Sequence, residues 1–108
     1  MNGPVFRPTC ACSRDVKTAA IVNPHAGQGR CVRRWQAQQA ALRDIVGPMK
    51  YCPTDGPGHG SELARDLLRA GYDHVISVGG DGTHFEVVNG WFHDDTALNP
   101  EARLTVLP

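Results

Sequence analysis

The sequence predicts an α/β fold in which a parallel β-sheet is flanked by helices. Short apolar runs alternate with longer segments whose apolar residues recur at helical spacing, and the connections are rich in glycine and proline. The order along the chain is strand, helix, strand, helix, strand, helix, strand. Such alternation is typical of parallel sheets joined by right-handed helical crossovers.

The first elements follow a lead-in. Residues 1–16 show no periodicity, and we expect a flexible segment that is neither a signal peptide nor a membrane span. Thr18 to Val22 is a short apolar run stopped by Asn23, as expected of a buried parallel strand. Beyond a polar turn with two glycines, apolar residues recur at helical spacing from Val32 until Gly47 ends the helix.

The middle of the chain repeats this pattern. A second strand is predicted over Met49 to Pro53, and a loop rich in glycine follows it. An amphipathic helix then runs through Leu63 and Leu68 and closes at Gly71. The third strand is predicted over His74 to Val78.

This third strand runs into Gly79-Gly80-Asp81-Gly82-Thr83, the most informative stretch of the chain. Glycines let bare backbone N–H groups approach a bound anion, and a helix that opens beyond them adds its positive N-terminal end. The block therefore predicts a phosphate-binding loop. Thr83 and Glu86 have the spacing of a capping box, which predicts that the helix begins at Thr83.

A fourth strand is predicted over Arg103 to Leu107. Ligands of such sheets bind at the carboxyl ends of the strands, so we expect the polar loops after Val22, Pro53 and Val78 to converge on one crevice. No crossover follows the fourth strand before Pro108, and we therefore expect a fuller protein to continue.

Composition limits the classes of function. The 108 residues are 41% hydrophobic and 20% charged, which is typical of a small soluble domain. Eleven basic and eleven acidic residues cancel, so no global charge favours nucleic acid or an anionic membrane. The four cysteines include no C-x-x-C pair. We therefore expect reduced thiols, no structural metal and a cytoplasmic location.

Three blocks of the chain resemble the diacylglycerol kinase catalytic family, which includes bacterial lipid kinases, sphingosine kinases and ceramide kinases. The blocks are Asn23-Pro24-His25-Ala26-Gly27, Thr54 with Gly58-His59-Gly60-Ser61-Glu62-Leu63-Ala64, and Gly79-Gly80-Asp81-Gly82-Thr83 with Glu86-Val87-Val88-Asn89-Gly90. The glycine block alone is shared with NAD kinases, whereas the Glu86 to Gly90 extension favours lipid kinases. The resemblance covers residues 17–108 and implies a three-layer, Rossmann-like nucleotide-binding domain, truncated before a β-rich second domain.

The resemblance also implies an activity, the transfer of the γ-phosphoryl group of ATP to the hydroxyl of a lipid, diacylglycerol or sphingoid-like, with Mg²⁺. The implied partners are a nucleotide and, where the second domain is present, a lipid at a membrane surface, with peripheral membrane association an open alternative. Asp81 is expected to hold Mg²⁺ through water, and a role as the catalytic base also stays open for it. The implied nucleotide contacts are Asn23, Thr54, Gly79, Gly80, Asp81, Gly82, Thr83, His84 and Phe85.

Each of these residues has a structural alternative. Asp81 can cap a turn, and Thr54 can start one with Asp55. Asn23 can simply end the first strand, and Glu86 is better explained as a helix cap than as a catalytic carboxylate.

Two other functions stay open on the sequence alone. One is a non-catalytic nucleotide-binding fragment or regulatory module, and the other is phosphorylation of a soluble nucleotide, as in NAD kinases. Unrelated nucleotide motifs are excluded. The chain has no Gly-Lys-Ser or Gly-Lys-Thr for a Walker loop, and Val32 stands where a dinucleotide fingerprint opening at Gly27 would need its third glycine.

Overall fold

The computed structural model describes residues 17–107, and it confirms the predicted α/β class. The elements are β1 (Thr18–Val22), a 3-10 turn (Ala26–Gly29), α1 (Arg30–Val46), β2 (Met49–Pro53), α2 (His59–Arg69), β3 (His74–Val78), α3 (Asp81–Gly90), β4 (Phe92–His93), β5 (Thr96–Ala97) and β6 (Arg103–Leu107). Four of the strands form a parallel sheet in the order β2-β1-β3-β6. The expected lead-in, residues 1–16, lies outside the described residues.

The two faces of the sheet carry separate apolar cores. β1 lies at the centre, and all of its residues are at most 4% exposed. Because side chains alternate along a strand, Ala20 and Val22 face α1, where Trp35 packs on them. Ala19 and Ile21 face the opposite side, which α2 and α3 cover. The result is a three-layer arrangement with the sheet in the middle.

Helices α2 and α3 pack against each other at very short range. A Cβ added at Gly90 would collide with the carbonyl oxygen of Ser61 and would lie 2.8 Å from the Cβ of Ala64. Only glycine leaves room for this approach. The contact fixes the tilt of α3, and with it the direction in which the N-terminus of α3 points.

The four predicted sheet strands have the expected bounds, but two features differ from the prediction. The third helix begins at Asp81 rather than at Thr83. Residues 92–97, for which the sequence predicted no element, form a small antiparallel hairpin. Its turn places Asp94 and Asp95 at φ values of 50° and 65°, a left-handed conformation that aspartate tolerates better than most residues.

A polar contact joins β3 to β6, the strand at the other edge of the sheet from β2. His74 Nε2 lies 2.7 Å from Thr105 Oγ1. Burial lowers the pKa of His74 below its ordinary value of 6.5, and the positive charge of Arg103 lowers it further.

Within residues 17–107 no helix is both long and apolar enough to cross a bilayer.

The close approach of α2 and α3 predicts a large effect at Gly90. We expect Gly90→Ala to lower the free energy of unfolding by about 1–3 kcal/mol, because the added methyl group overpacks a contact made by backbone. Urea denaturation provides the measurement. Gly56→Ala is the matched control, since a Cβ there meets no atom within 4 Å. Equal stabilities of the two variants would contradict this account.

The depressed pKa of His74 predicts a pH-dependent stability. The unfolded chain binds the proton more readily, so the contribution of His74 is fully present above its unfolded pKa of 6.5 and is lost as pH falls towards the folded pKa. Thermal unfolding followed from about pH 7 downwards measures the effect, since the loss begins as pH falls through the unfolded pKa of 6.5. His74→Gln should show a smaller loss of stability over this interval than the wild type. An identical pH dependence in the two proteins would rule out the assignment.

Candidate functional site

The topology opens a crevice between β1 and β3. These strands are neighbours, but the helix that follows β1 covers one face of the sheet, while the helix that follows β3 covers the other. The two loops therefore separate at the carboxyl ends of the strands. Ligands of open α/β sheets bind at this switch point.

Asn23, the first residue after β1, ties the two loops together. Its side-chain Nδ2 donates a hydrogen bond to Thr83 Oγ1 at 3.1 Å, and its Oδ1 accepts the backbone N–H of His25 at 3.0 Å. Its own backbone N–H donates to the carbonyl of Val78 at 3.0 Å. Asn23 therefore ends the strand and also fixes the distance between the loops after β1 and β3.

The loop after β2 supplies a second wall. Thr54 is 7% exposed, and its backbone N–H donates to the carbonyl oxygen of Val22 at 2.9 Å, which extends the sheet by one residue. The next N–H, that of Asp55, donates to Nδ1 of His59 at 2.8 Å. His59 thus serves as a hydrogen-bond acceptor that closes this loop onto the start of α2.

Glycine occurs at three positions of the block after β3 for different structural reasons. A Cβ at Gly79 would lie 2.6 Å from Thr83 Oγ1, so the fold itself requires glycine there. A Cβ at Gly80 or Gly82 would meet no atom within 4 Å. These two glycines leave open space beside exposed backbone, which is the arrangement that lets an anion approach peptide N–H groups closely.

The N-terminus of α3 lacks a side-chain cap, which corrects the capping-box prediction. The helix begins at Asp81 with Gly80 as its N-cap, and among the described residues no side chain caps it. Thr83 Oγ1 is engaged by Asn23, and the Glu86 carboxylate turns away to another helix. Among the described residues, the first turn of α3 therefore has no side-chain cap, and its residues Gly82 and Thr83 line the crevice, as an anion site requires.

Glu86 caps α2 instead of α3. Its Oε2 accepts the N–H of Gly58 at 2.9 Å, and its Oε1 accepts the N–H of Gly60 at 3.1 Å. The backbone carbonyl of Glu86 accepts the hydroxyl of Ser61 at 2.7 Å. Sequence reasoning missed this pairing because its partners lie far away along the chain. The one available signal was the density of glycine at the start of α2.

The three loops enclose a cavity of about 330 Å³. A volume of this size lies at the lower end of the range for small-molecule sites. The lining residues come from the ends of β1 and β2 and from the first two turns of α3. They are Asn23, His25, Thr54, Gly56, Pro57, Gly82, Thr83 and Glu86.

A second, smaller cleft of about 220 Å³ lies on the other side of the glycine block. Gly79 and Gly80 form one wall, and the start of α1 forms the other with Arg30, Cys31 and Arg34. Burial raises the pKa of the Cys31 thiol, and the charge of Arg34 partly opposes this shift. Cys31 therefore stays protonated at neutral pH.

The structure brings four of the predicted contact residues to the larger cavity, namely Asn23, Thr54, Gly82 and Thr83. Asp81 is exposed at the start of α3. His84 lines neither cleft: its Nδ1 lies 2.7 Å from Ser77 Oγ on β3, and its buried Nε2 has no partner within residues 17–107. Phe85 also lies outside both linings and is 68% exposed.

Comparison with protein families gives a match to the model described as "Diacylglycerol kinase catalytic domain" over residues 17–108. Among curated proteins, the chain is 30% identical over 86 residues to sphingoid long chain base kinase 4 of Schizosaccharomyces pombe, covering 79% of this chain and 19% of that protein. It is 32% identical over 104 residues to sphingoid long-chain bases kinase 1 of Arabidopsis thaliana, covering 94% and 13%.

Among solved structures, the chain resembles a diacylglycerol kinase from Bacillus anthracis with a TM-score of 0.70 and 27% sequence identity. The match covers 85% of this chain and 32% of that one. The chain therefore spans about a third of the solved structure, and a fifth or less of the two sphingoid base kinases.

The bond between Asn23 and Thr83 predicts coupled effects on stability. We expect Asn23→Ala and Thr83→Val to cost less together than the sum of the single changes, because either one removes the same bond. The expected coupling is about 0.5–1.5 kcal/mol, the usual net contribution of one hydrogen bond. Urea denaturation of the four proteins of the cycle measures it. Strict additivity would show that the bond does not hold the loops together.

Proposed function

This chain belongs to the diacylglycerol kinase catalytic domain family, and we propose that it forms the ATP-binding part of a lipid kinase. The proposed reaction transfers the γ-phosphoryl group of ATP to a hydroxyl group of a lipid. The names of its relatives in yeast, plant and bacterium support a lipid acceptor, either a sphingoid base or a diacylglycerol.

One observation carries the assignment of the nucleotide to the larger cavity. Gly82 lines this cavity, its missing Cβ leaves open space, and the N–H groups around it belong to a helix start without a side-chain cap. Polyphosphate fits such a place because each peptide N–H can donate a hydrogen bond without a side chain intervening. Asn23 and Thr54 add polar groups to the opposite walls.

The residues present could also bind Mg²⁺, but only together with the phosphates of a bound nucleotide. Residues 17–107 contain no group of three His, Cys, Asp or Glu side chains that could hold a metal ion by themselves. Mg²⁺ in kinases is commonly bound by one or two carboxylates together with substrate phosphates and water. We propose Asp81, next to Gly82 in the first turn of α3, as this carboxylate. Without a cation, its negative charge at the start of α3 would repel the phosphates.

In the proposed reaction, this chain would position the phosphates and stabilise their negative charge. The N–H groups at the start of α3 would stabilise negative charge on the phosphoryl oxygens as it redistributes during transfer. Bound Mg²⁺ would neutralise further phosphate charge. Asn23 would keep the loop after β1 against Thr83, so that the walls of the cavity hold the phosphates in one orientation. As the alternative to its role beside Mg²⁺, Asp81 would accept the proton of the lipid hydroxyl.

Calorimetric titration with Mg-ATP tests this proposal, with Gly82→Ala and Gly80→Ala as a matched pair. Both methyl groups enter open space, so both variants should fold. Gly82→Ala should weaken binding by about tenfold or more, equivalent to about 1.4 kcal/mol, because its methyl group displaces phosphate from the larger cavity. Gly80→Ala should weaken binding less than Gly82→Ala does, because Gly80 lines the other cleft.

The reverse order of effects would place the phosphates in the second cleft and overturn this assignment. Asp81→Asn should in addition reduce the enhancement of ATP binding by Mg²⁺, because it removes the carboxylate charge. A wild-type chain that is folded by circular dichroism but binds no nucleotide would overturn the proposal and favour a degenerate or purely structural fragment.

A further inference from the structure

We infer that Glu86 is a positioning residue for the nucleotide, one that places the wall of the larger cavity formed by residues 54–57. Glu86 lines this cavity itself, and it would place the facing wall through its contacts with the start of α2. The inference deepens the proposed function and rests on it for the identity of the ligand. Its structural part, the control of this loop by Glu86, stands on contacts within the chain.

The first step is the pair of hydrogen bonds by which Glu86 binds the start of α2. Its two carboxylate oxygens accept two different backbone N–H groups, those of Gly58 and Gly60. These donors belong to the N-cap and the first turn of α2, where helix N–H groups have no partner within their own helix. A negative charge at this end also interacts favourably with the helix dipole. Glu86 therefore satisfies an end of α2 that its own sequence leaves without a side-chain cap.

The second step leads from α2 to the cavity wall. His59 lies between the two glycines that Glu86 binds, and its Nδ1 accepts the N–H of Asp55 at 2.8 Å. The backbone N–H of His59 donates to the carbonyl of Gly56 at 3.2 Å. Asp55 and Gly56 directly follow Thr54, which lines the cavity. Hydrogen bonds and the short backbone between Gly58 and Gly60 thus connect Glu86 to Asp55 and Gly56, the residues that follow Thr54.

The fit around the carboxylate is too close for a substitute to occupy it unchanged. A Cβ at Gly60 would lie 2.8 Å from Glu86 Oε1, so the carboxylate and glycine are matched in space. Glutamine at position 86 would keep the shape, but it would turn an NH₂ group towards one of two N–H donors. One donor would then lose its acceptor, and the loop would lose part of its anchor.

The placement of Glu86 explains why this control would matter for a nucleotide. Glu86 belongs to α3, whose first turn carries Gly82 and Thr83 on the opposite side of the cavity. One helix therefore presents the phosphate-binding N–H groups and also anchors the facing wall. The separation of the two walls, and hence the fit of a bound nucleotide, depends on the Glu86 contacts.

The test compares Glu86→Gln with Glu62→Gln in the 108-residue chain. Glu62 is an exposed carboxylate in the first turn of α2, so its variant removes the same charge near the same helix end without touching the cavity. Two quantities are measured, amide hydrogen exchange over residues 54–60 and the Kd for Mg-ATP by calorimetry. The exchange measurement needs no ligand and is made on the free protein.

We expect Glu86→Gln to accelerate exchange over residues 54–60 and to raise the Kd by about tenfold, the scale of a lost charge-assisted hydrogen bond. Glu62→Gln should leave both quantities close to the wild type. Unchanged exchange in Glu86→Gln would overturn the control of the loop. Faster exchange with an unchanged Kd would overturn the positioning role. A wild type that does not bind nucleotide would refute the proposed function, and with it the positioning role. The exchange data would still show whether Glu86 controls the loop.

Gly60→Ala provides a second route if Glu86→Gln does not fold. Its methyl group would push the carboxylate away from the N–H donors while the charge of Glu86 remains. The same acceleration of exchange and the same weakening of ATP binding are expected. A Gly60→Ala protein that exchanges and binds like the wild type would contradict the inference.

Discussion

The close approach of α2 and α3 is the constraint on which the carboxyl edge of the sheet depends. Gly90 lets the backbone of α3 touch that of α2 at Ser61, and Gly60 makes room for the Glu86 carboxylate at the other end of the contact. A helix held at its middle and at its C-terminal end cannot rotate freely. The direction of its first turn, and therefore of the N–H groups around Gly82, is set by these contacts with α2.

The glycines divide into two groups that look alike in the sequence. Gly60, Gly79 and Gly90 are required because another atom occupies the place of a side chain, whereas Gly80 and Gly82 face open space. The first group builds the fold, and the second leaves backbone accessible to a ligand. In a motif such as Gly-Gly-Asp-Gly-Thr, the fold therefore requires glycine at the first position, while the later glycines leave backbone accessible. Only the structure shows which glycine has which role.

The sequence predicted the sheet well because buried parallel strands are continuous apolar runs, as from Thr18 to Val22, closed by turn residues. It failed at the start of α3, where the spacing of Thr83 and Glu86 fits a local cap as well as it fits partners far along the chain. It also missed the hairpin over residues 92–97, whose two-residue strands are too short to show periodicity. The convergence of three loops was predictable from strand polarity alone, but the place of each side chain around the cavity was not, since that depends on helix tilt.

The central position of β1 also has a consequence for how the chain reaches this structure. Thr18 pairs with Met49 on one side and with His74 on the other. Along the chain, at least one helix therefore lies between β1 and each of its neighbouring strands. No adjacent strands of the main sheet form a hairpin, and every pairing closes a long loop before it gains a contact. Topologies of this kind fold slowly for their size. During synthesis β1 would emerge before β2 and β3, so its apolar residues would have no partner strand until those two follow.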